Sequence, residues 1–298
     1  MTATISRSNE DSRAEFTVRR LADPGALREL LASDRPYAAY AIAQLDPTRF
    51  RQSEWLEAVG PGGARGIVVH SNSGLGRALF ADGDARAVEV ILSLHPGSRF
   101  TFGSLRPEHR SPVERFFLLG RTRTMSRMAT SADAFKPIDG PAIRLTAADI
   151  PEINRLYSLE GGPAYYRPAH MEEGVYYGVF DNGKLVSIAG THVVSDAEGV
   201  AVVGNVFTHP RYRGRGYAAS TTGAVTALLL GRCPLVVLTV EEGNDAAQSV
   251  YSKLGYTHHC SLHESPLIRK EPLGVLSATR RLLAGWRGRD SGTEVVRR

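Results

Sequence analysis

GNVFTHPRYRGRGYAAS, from Gly204 to Ser220, is the stretch on which the rest of the chain turns. Its β-branched and aromatic opening predicts a strand, a basic loop follows, and the small residues Ala218 and Ala219 begin a helix. A strand feeding such a turn presents successive backbone N–H groups at the positive end of a helix, which suits a phosphate. Gly214 and Gly216 supply the φ freedom the turn needs, and no side chain there holds a ligand's oxygens off the amides. Arg211, Arg213 and Arg215 add positive charge around the same turn. The stretch reads as a pyrophosphate cradle.

Working outward, PLVVLTV (to Val240) predicts a buried strand, and NDAAQSVYSKLG a helix capped by Asn244 and stopped at Gly255. Tyr256 to Ile268 reads as a closing strand pair. Upstream, VYYGVF and LVSIAGTHVV flank the turn DNGK as a hairpin. AIRLT reads as a strand and AADIPEINRLYSL as a helix with one apolar face. Earlier still, FTVRRL predicts a strand, Pro24 to Ala32 a helix opened by Asp23, and Pro36 to Gln44 and Glu54 to Val59 two more helices. GIVVH and LGRALF form a hairpin around SNSG, Ala85 to Leu94 a helix and RFTFGSL a strand. Glu108 to Leu119 reads as a helix and Arg121 to Thr130 as a strand.

SADAFKPIDGP (Ser131 to Pro141) is polar, carries two prolines and breaks the periodic pattern, so it reads as a linker. The expected organisation is a disordered lead over 1–15, an α/β domain over 16–130, the linker 131–141, a second domain over 142–270 and a basic tail over 271–298. In that tail Leu276, Leu282, Leu283 and Trp286 stand beside Arg280, Arg281, Arg287 and Arg289, predicting an amphipathic helix laid on the protein's own body, with residues from Asp290 on disordered.

Two domains suit a chain of 298 residues, and 42% hydrophobic content suits developed cores. The net charge of +5 is carried by scattered arginines rather than runs, which argues against a nucleic-acid partner. Cys233 and Cys260 offer neither a disulfide framework nor metal-ligand spacing, which fits a reducing cytoplasm. No apolar run approaches the ~20 residues of a membrane span, and the amino terminus has no apolar core of a signal peptide.

Gly204 to Tyr256 resembles the GNAT acyltransferase superfamily, in particular its glycine N-acyltransferase-like branch. The superfamily's (Arg/Gln)-x-x-Gly-x-(Gly/Ala) motif is matched by Arg213, Gly216 and Ala218, and the branch's Tyr/Phe-Thr-x-Pro by Phe207, Thr208 and Pro210. A second motif, Asn-x-x-Ala-x-x-x-Tyr followed by Leu-Gly-Phe/Tyr, is matched by Asn244, Ala247, Tyr251, Leu254, Gly255 and Tyr256. The resemblance covers about Ala142 to Lys270; the first domain shares only element order and is expected to be a degenerate copy, giving a tandem GNAT-like mixed α/β fold with mostly antiparallel sheet and flanking helices.

The resemblance implies acetyl-CoA or another short acyl-CoA as co-substrate, a small amine as acceptor, and no metal. It places pantetheine against Val206, Phe207 and Thr208, and pyrophosphate on Arg213, Gly214, Arg215, Gly216, Tyr217, Ala218 and Ala219, with Asn244 and Ala247 beside it. Tyr251 takes the part of acid toward the departing thiolate. The general base is a departure, because Val200 to Thr208 holds no ionisable residue; His192, Glu241, Glu242 and Glu160 are the candidates, and Tyr165, Tyr166 and Arg167 lie where relatives line the acceptor side. Two other readings stand beside this one. A non-catalytic acyl-CoA sensor would keep the cradle without turnover. Gly214-x-Gly216-x-x-Ala219 also fits a dinucleotide fingerprint, although its polar loop and the hairpin before it do not. In the first domain the helix after RFTFGSL starts at Arg106-Pro107-Glu108, a turn unsuited to phosphate, so one acyl-CoA per chain is expected.

Overall fold

The computed structural model describes residues 15–73, 76–159, 165–288 and 293–297, and its strands join in one 14-stranded sheet. The first half of the chain runs β1 (Glu15–Arg20), α1 (Pro24–Leu31), α2 (Arg35–Ala43), α3 (Pro47–Phe50), β2 (Ser53–Val59), β3 (Arg65–Ser73), β4 (Gly76–Gly83), α4 (Ala85–Leu94), β5 (Phe100–Leu105), α5 (Pro107–Phe116), β6 (Phe117–Leu119) and β7 (Arg123–Thr130). The second runs β8 (Ile143–Arg144), α6 (Ile150–Ser158), α7 (Pro168–Glu173), β9 (Tyr177–Asp181), β10 (Lys184–Ser195), β11 (Val200–Thr208), α8 (Tyr217–Leu230), β12 (Leu235–Glu241), α9 (Asp245–Lys253), β13 (Thr257–Arg269), α10 (Val275–Arg287) and β14 (Glu294–Arg297).

Across the sheet the order is β14-β1-β2-β3-β4-β5-β13-β7-β12-β11-β10-β9-β8, with β6 paired to β13. Leaving β14 aside, the order repeats outward from its centre. Each half lays down an antiparallel run, crosses over through one helix (α4 or α8) and adds a parallel strand: β4 with β5, β11 with β12. At the centre the halves exchange their last strands. β7 lies antiparallel between β12 and β13, and β13 antiparallel between β7 and β5. Residues 131–141 therefore separate the halves in sequence while their strands interleave. The sheet is mixed and mostly antiparallel with flanking helices, as the residue pattern implied.

Local chemistry explains several helix ends. The Asp23 carboxylate accepts the N–H groups of Gly25 and Ala26 at the start of α1, and the Asn244 side chain accepts Ala247 N–H at 3.1 Å at the start of α9. Gly255 ends α9 at φ +89°. Four expectations fail. Glu54–Val59 is strand β2 rather than helix: Glu, Leu and Ala favour helix, but Glu57 is fully buried between β1 and β3, ion-paired to Arg19 at 2.6 Å and to Arg65. Sheet pairing outweighs propensity there. Tyr256–Ile268 is one strand, β13, bulged between His258 and Cys260, because it pairs first with β7 and then with β5. The helix expected over Glu108–Leu119 ends at Phe116, and its last three residues pair with β13 as β6. Glu294–Arg297, expected to be disordered, is β14 on the edge of β1.

α10 forms, yet its apolar stripe does not face the protein. The small residues Ser277 and Ala284 are the buried ones, whereas Leu282 and Trp286 are 76% and 66% exposed. The expected disordered lead lies outside the described residues, apart from Glu15 in β1, as do the tip of the SNSG turn at 74–75 and the candidate Glu160. Among the described residues no helix is long and apolar enough to cross a membrane, and no group of His, Cys, Asp and Glu could hold a metal ion. Both cysteines are free.

Alternation along β11 and β12 sorts side chains to two faces. Ala201, Val203, Val236 and Leu238 pack under α8 and α9 with Val225, Leu229 and Tyr251. Val200, Val202 and Val237 face the other way, onto Leu27, Leu31, Ala38 and Ile42 of α1 and α2, whose far side rests on Trp55 and Ile67 of β2 and β3. The first half thus sets α2 against the back of β11 and β12, opposite α8.

Candidate active site

β11 and β12 pair only from Val200 with Leu235 to Val203 with Leu238. Past Gly204 the strands part: Asn205 takes φ +55°, and the register of β10 on β11 shifts between Ile188 and Gly190. His209 N–H bonds Val186 O at 2.9 Å, so by alternation the backbone of Val206 and Thr208 faces away from β10, into the gap. Phe207 takes the opposite sense, its ring beside Tyr157. Such a gap offers unpaired backbone groups to an extended, amide-bearing chain.

The turn at the head of the gap has the form the sequence implied. Gly214 and Gly216 sit at φ +78° and +79°, and a Cβ added at either meets nothing within 4 Å. The first backbone bond of α8 runs from Ser220 N–H to Gly216 O at 3.0 Å, so the amides from Gly214 to Ala219 have no acceptor among the described residues. These donors point from a positively charged helix end into open space, beside Arg215 over the Tyr212 ring and Arg213 against Thr208 O at 3.2 Å. A diphosphate fits this set of donors.

Tyr251 and Asn244 stand on α9 beside the gap. The Tyr251 ring is buried with Tyr256, while its hydroxyl has no hydrogen-bond partner among the described residues; burial pushes its pKa up to about 12. Asn244 caps the helix through Ala247 N–H, which occupies its side-chain oxygen.

Behind the gap, on the α2 side, two cavities of about 330 and 370 Å³ meet at Gln44, Ser73 and His192. His192 lies flat on the point where β11 leaves β12: a Cβ at Gly204 would come within 2.2 Å of its Nε2, so only glycine fits. Its Nδ1 shares a 2.5 Å hydrogen bond with the Tyr40 hydroxyl of α2, and burial pushes its pKa down to about 4. Tyr165 and Tyr166 line the smaller cavity, and Arg167 is the N-cap of α7. Glu241 is exposed at the end of β12 and lines neither cavity; Glu242 accepts from Ser261 Oγ at 2.5 Å. The structure therefore brings His192 to the gap and leaves the two glutamates away from both cavities.

The larger cavity holds residues the sequence reading missed. Arg127 of β7 is 1% exposed, yet its Nε and Nη1 have no hydrogen-bond partner among the described residues, and its guanidinium lies 5.0 Å from the Tyr40 ring centroid. Thr239 Oγ1 on β12 is likewise buried without a partner. Glu264 of β13 lines the same cavity, accepts from Ser104 Oγ at 3.3 Å, and is raised in pKa by burial. A guanidinium taken out of water without a partner costs several kcal/mol. The legible signal was in RTMSRMAT: alternation places Arg127 on the inward face between Met125 and Ala129, where a charge needs a reason.

Residues 147–256 match the model of the acetyltransferase (GNAT) family. This segment is similar to a GNAT domain. Solved structures share the fold well beyond it. A Drosophila protein, 14% identical, overlaps 85% of this chain and 99% of its own with a TM-score of 0.60. A GCN5-related N-acetyltransferase from Kribbella flavida, 20% identical, overlaps 77% of this chain and 95% of its own at 0.54. Another from Sphaerobacter thermophilus, 15% identical, overlaps 85% and 96% at 0.52. Overlaps of that extent carry the likeness of fold into the first half. Within the matched segment β10, β11 and β12 give one antiparallel and one parallel pair, not the successive parallel units of a dinucleotide fold. The strand order also corrects the counterpart of the cradle: it is the turn from β4 into α4, not Arg106-Pro107-Glu108 after β5.

Proposed function

We propose that the chain is an acyl-CoA-dependent N-acyltransferase of the glycine N-acyltransferase-like branch, with a degenerate first copy closing its acceptor side. The observation that carries this reading is the run of unbonded amides from Gly214 to Ala219 beside the splayed end of β11. Pyrophosphate rests on those amides, and pantetheine pairs with the backbone of Val206 and Thr208. A neutral amine enters from the α2 side and attacks the thioester carbonyl, whose oxygen draws on a β11 amide as its charge develops. The C–S bond breaks, the amide forms, and the proton given up by the amine nitrogen is matched through solvent by the one the departing sulfur takes up, so CoA leaves as its thiol.

Two magnitudes assign roles. With Tyr251 near 12 and a thiol near ~8.5, full proton transfer to the thiolate is uphill by about 5 kcal/mol, so Tyr251 serves by donating a hydrogen bond to the leaving sulfur. An alkylammonium near ~10 exceeds His192, near 4, by roughly six units, or about 8 kcal/mol, so His192 does not deprotonate the free ammonium. The amine arrives already neutral, and His192 orients it. The unbonded Tyr251 hydroxyl favours turnover over a sensor role. Free-thiol release from acetyl-CoA across an amine panel tests the reading: amine-dependent release supports it, tight acetyl-CoA binding without release supports a sensor, and tight NAD binding in place of acetyl-CoA overturns it.

A further inference from the structure

We propose that Arg127 is the specificity residue for the acceptor, holding a single carboxylate of an amine whose apolar body fills the cavity between α2 and the centre of the sheet. This rests on the acyltransferase reading for the identity of the site, but the anion pocket itself is defined without it. Arg127 carries a guanidinium, is 1% exposed, has Nε and Nη1 unpartnered among the described residues, and lines a cavity of about 370 Å³. A carboxylate presents two coplanar oxygens that match a guanidinium edge. Thr239 Oγ1, buried without a partner in the same cavity, supplies a further donor.

Arg127 and His192 meet through one residue. Tyr40 spans the site: its ring faces the guanidinium at 5.0 Å, and its hydroxyl bonds His192 at 2.5 Å. Tyr40 thus touches both Arg127 and His192, which puts the cation and the imidazole in one cavity. Besides Arg127 the cavity wall carries Val69, Leu79, Phe80, Phe102 and Met125, which suit an apolar side chain, together with Arg77, Gln44 and Ser71. Glu264 shares the cavity, hydrogen-bonds Ser104 rather than Arg127, and still feels the charge of Arg127, which opposes the effect of burial on its pKa, so a phosphate or dicarboxylate meets more repulsion from it than a single carboxylate does. Transfer then converts the amino acid and acyl-CoA to the N-acyl amino acid and CoA thiol, with the carboxylate unchanged.

The test is calorimetry on the full chain with glycine, L-leucine, L-methionine and L-phenylalanine, each against its carboxamide, with and without saturating CoA, in the wild type and in Arg127→Gln. At least one apolar acid binds the wild type on the order of 100-fold tighter than its carboxamide, with glycine the weakest acid, and Arg127→Gln erases the difference. Arg127→Met, which removes a buried cation whose Nε and Nη1 have no partner among the described residues, unfolds at the same or a higher temperature than the wild type, so loss of binding there is not loss of fold. Equal binding of acids and carboxamides, or a preference that survives Arg127→Gln, overturns the proposal. Preference for an acid without any acetyl-CoA affinity leaves the anion pocket standing and overturns the acyltransferase reading instead.

Discussion

Two helix starts occupy matching places in the two halves of this sheet. β4 turns into α4 through Asp82-Gly83-Asp84, and β11 turns into α8 through the loop ending at Gly216. In the first half, Asp84 closes the helix end itself, its carboxylate accepting the amides of Arg86 and Ala87 at 2.8 and 3.0 Å. Gly83 shares the positive φ of Gly216, at +89°, but a Cβ there would lie 2.3 Å from Arg65 O, so its glycine serves close packing on β3. In the second half, no carboxylate caps α8, both glycines face open space, and the amides are unbonded. One topology yields a sealed, acidic turn in one half and an open, basic one in the other. α9 adds Tyr251, whereas α5 carries no tyrosine. Fold alone does not make the site; the residues at one turn do.

The comparison can be broken most sharply at Gly216. Gly216→Asp puts a carboxylate where phosphate would sit and forces an L residue to φ +79°, so acetyl-CoA affinity falls by at least about 100-fold while the backbone cost is only ~1–2 kcal/mol. Calorimetry with a melting curve separates the two effects, and near-wild-type affinity would remove the cradle. Next in size, Tyr251→Phe lowers kcat by roughly tenfold to a hundredfold with acetyl-CoA affinity within about threefold. Single-turnover measurements check this; unchanged chemistry takes Tyr251 out of the mechanism.

A smaller effect concerns acid stability. His192 titrates near 4 in the fold and at its usual ~6.5 when unfolded, so between those values the unfolded chain binds the extra proton. Stability present above pH 6.5 is lost as pH falls toward 4, by up to about 3 kcal/mol. His192→Gln removes that loss, which melting temperatures at pH 7.5 and 4.5 in both proteins reveal; an identical acid slope contradicts a neutral buried imidazole. The smallest effect is expected at the sealed turn. Asp84→Ala loses a helix cap, about 1 kcal/mol or a few degrees of melting temperature, with acetyl-CoA affinity untouched.

Much of this was legible in the residues. The glycines, arginines and small residues of Gly204–Ser220, and the Asn244 to Tyr256 pattern, act through local backbone geometry, which sequence encodes directly. What was hidden depends on partners distant in the chain. β2 reads as helix until Arg19 and Arg65 close on Glu57 from both sides. The exchange of β7 and β13 leaves no local mark, because each strand alternates normally whichever neighbour it pairs with. Glu264 is unremarkable in sequence, and Arg127, although alternation in RTMSRMAT turns it inward, shares a cavity with Glu264 only because β7 and β13 pair. Gly204 reads as a strand glycine until His192 is found lying on it.

The central claim is that the open turn binds acyl-CoA and the sealed turn does not. Titrating the full-length chain with acetyl-CoA in a calorimeter tests it most directly, read as the number of molecules bound per chain. One molecule per chain, lost in Gly216→Asp and kept in Asp84→Ala, is the expected result. Two molecules per chain, or one that survives Gly216→Asp, would contradict it.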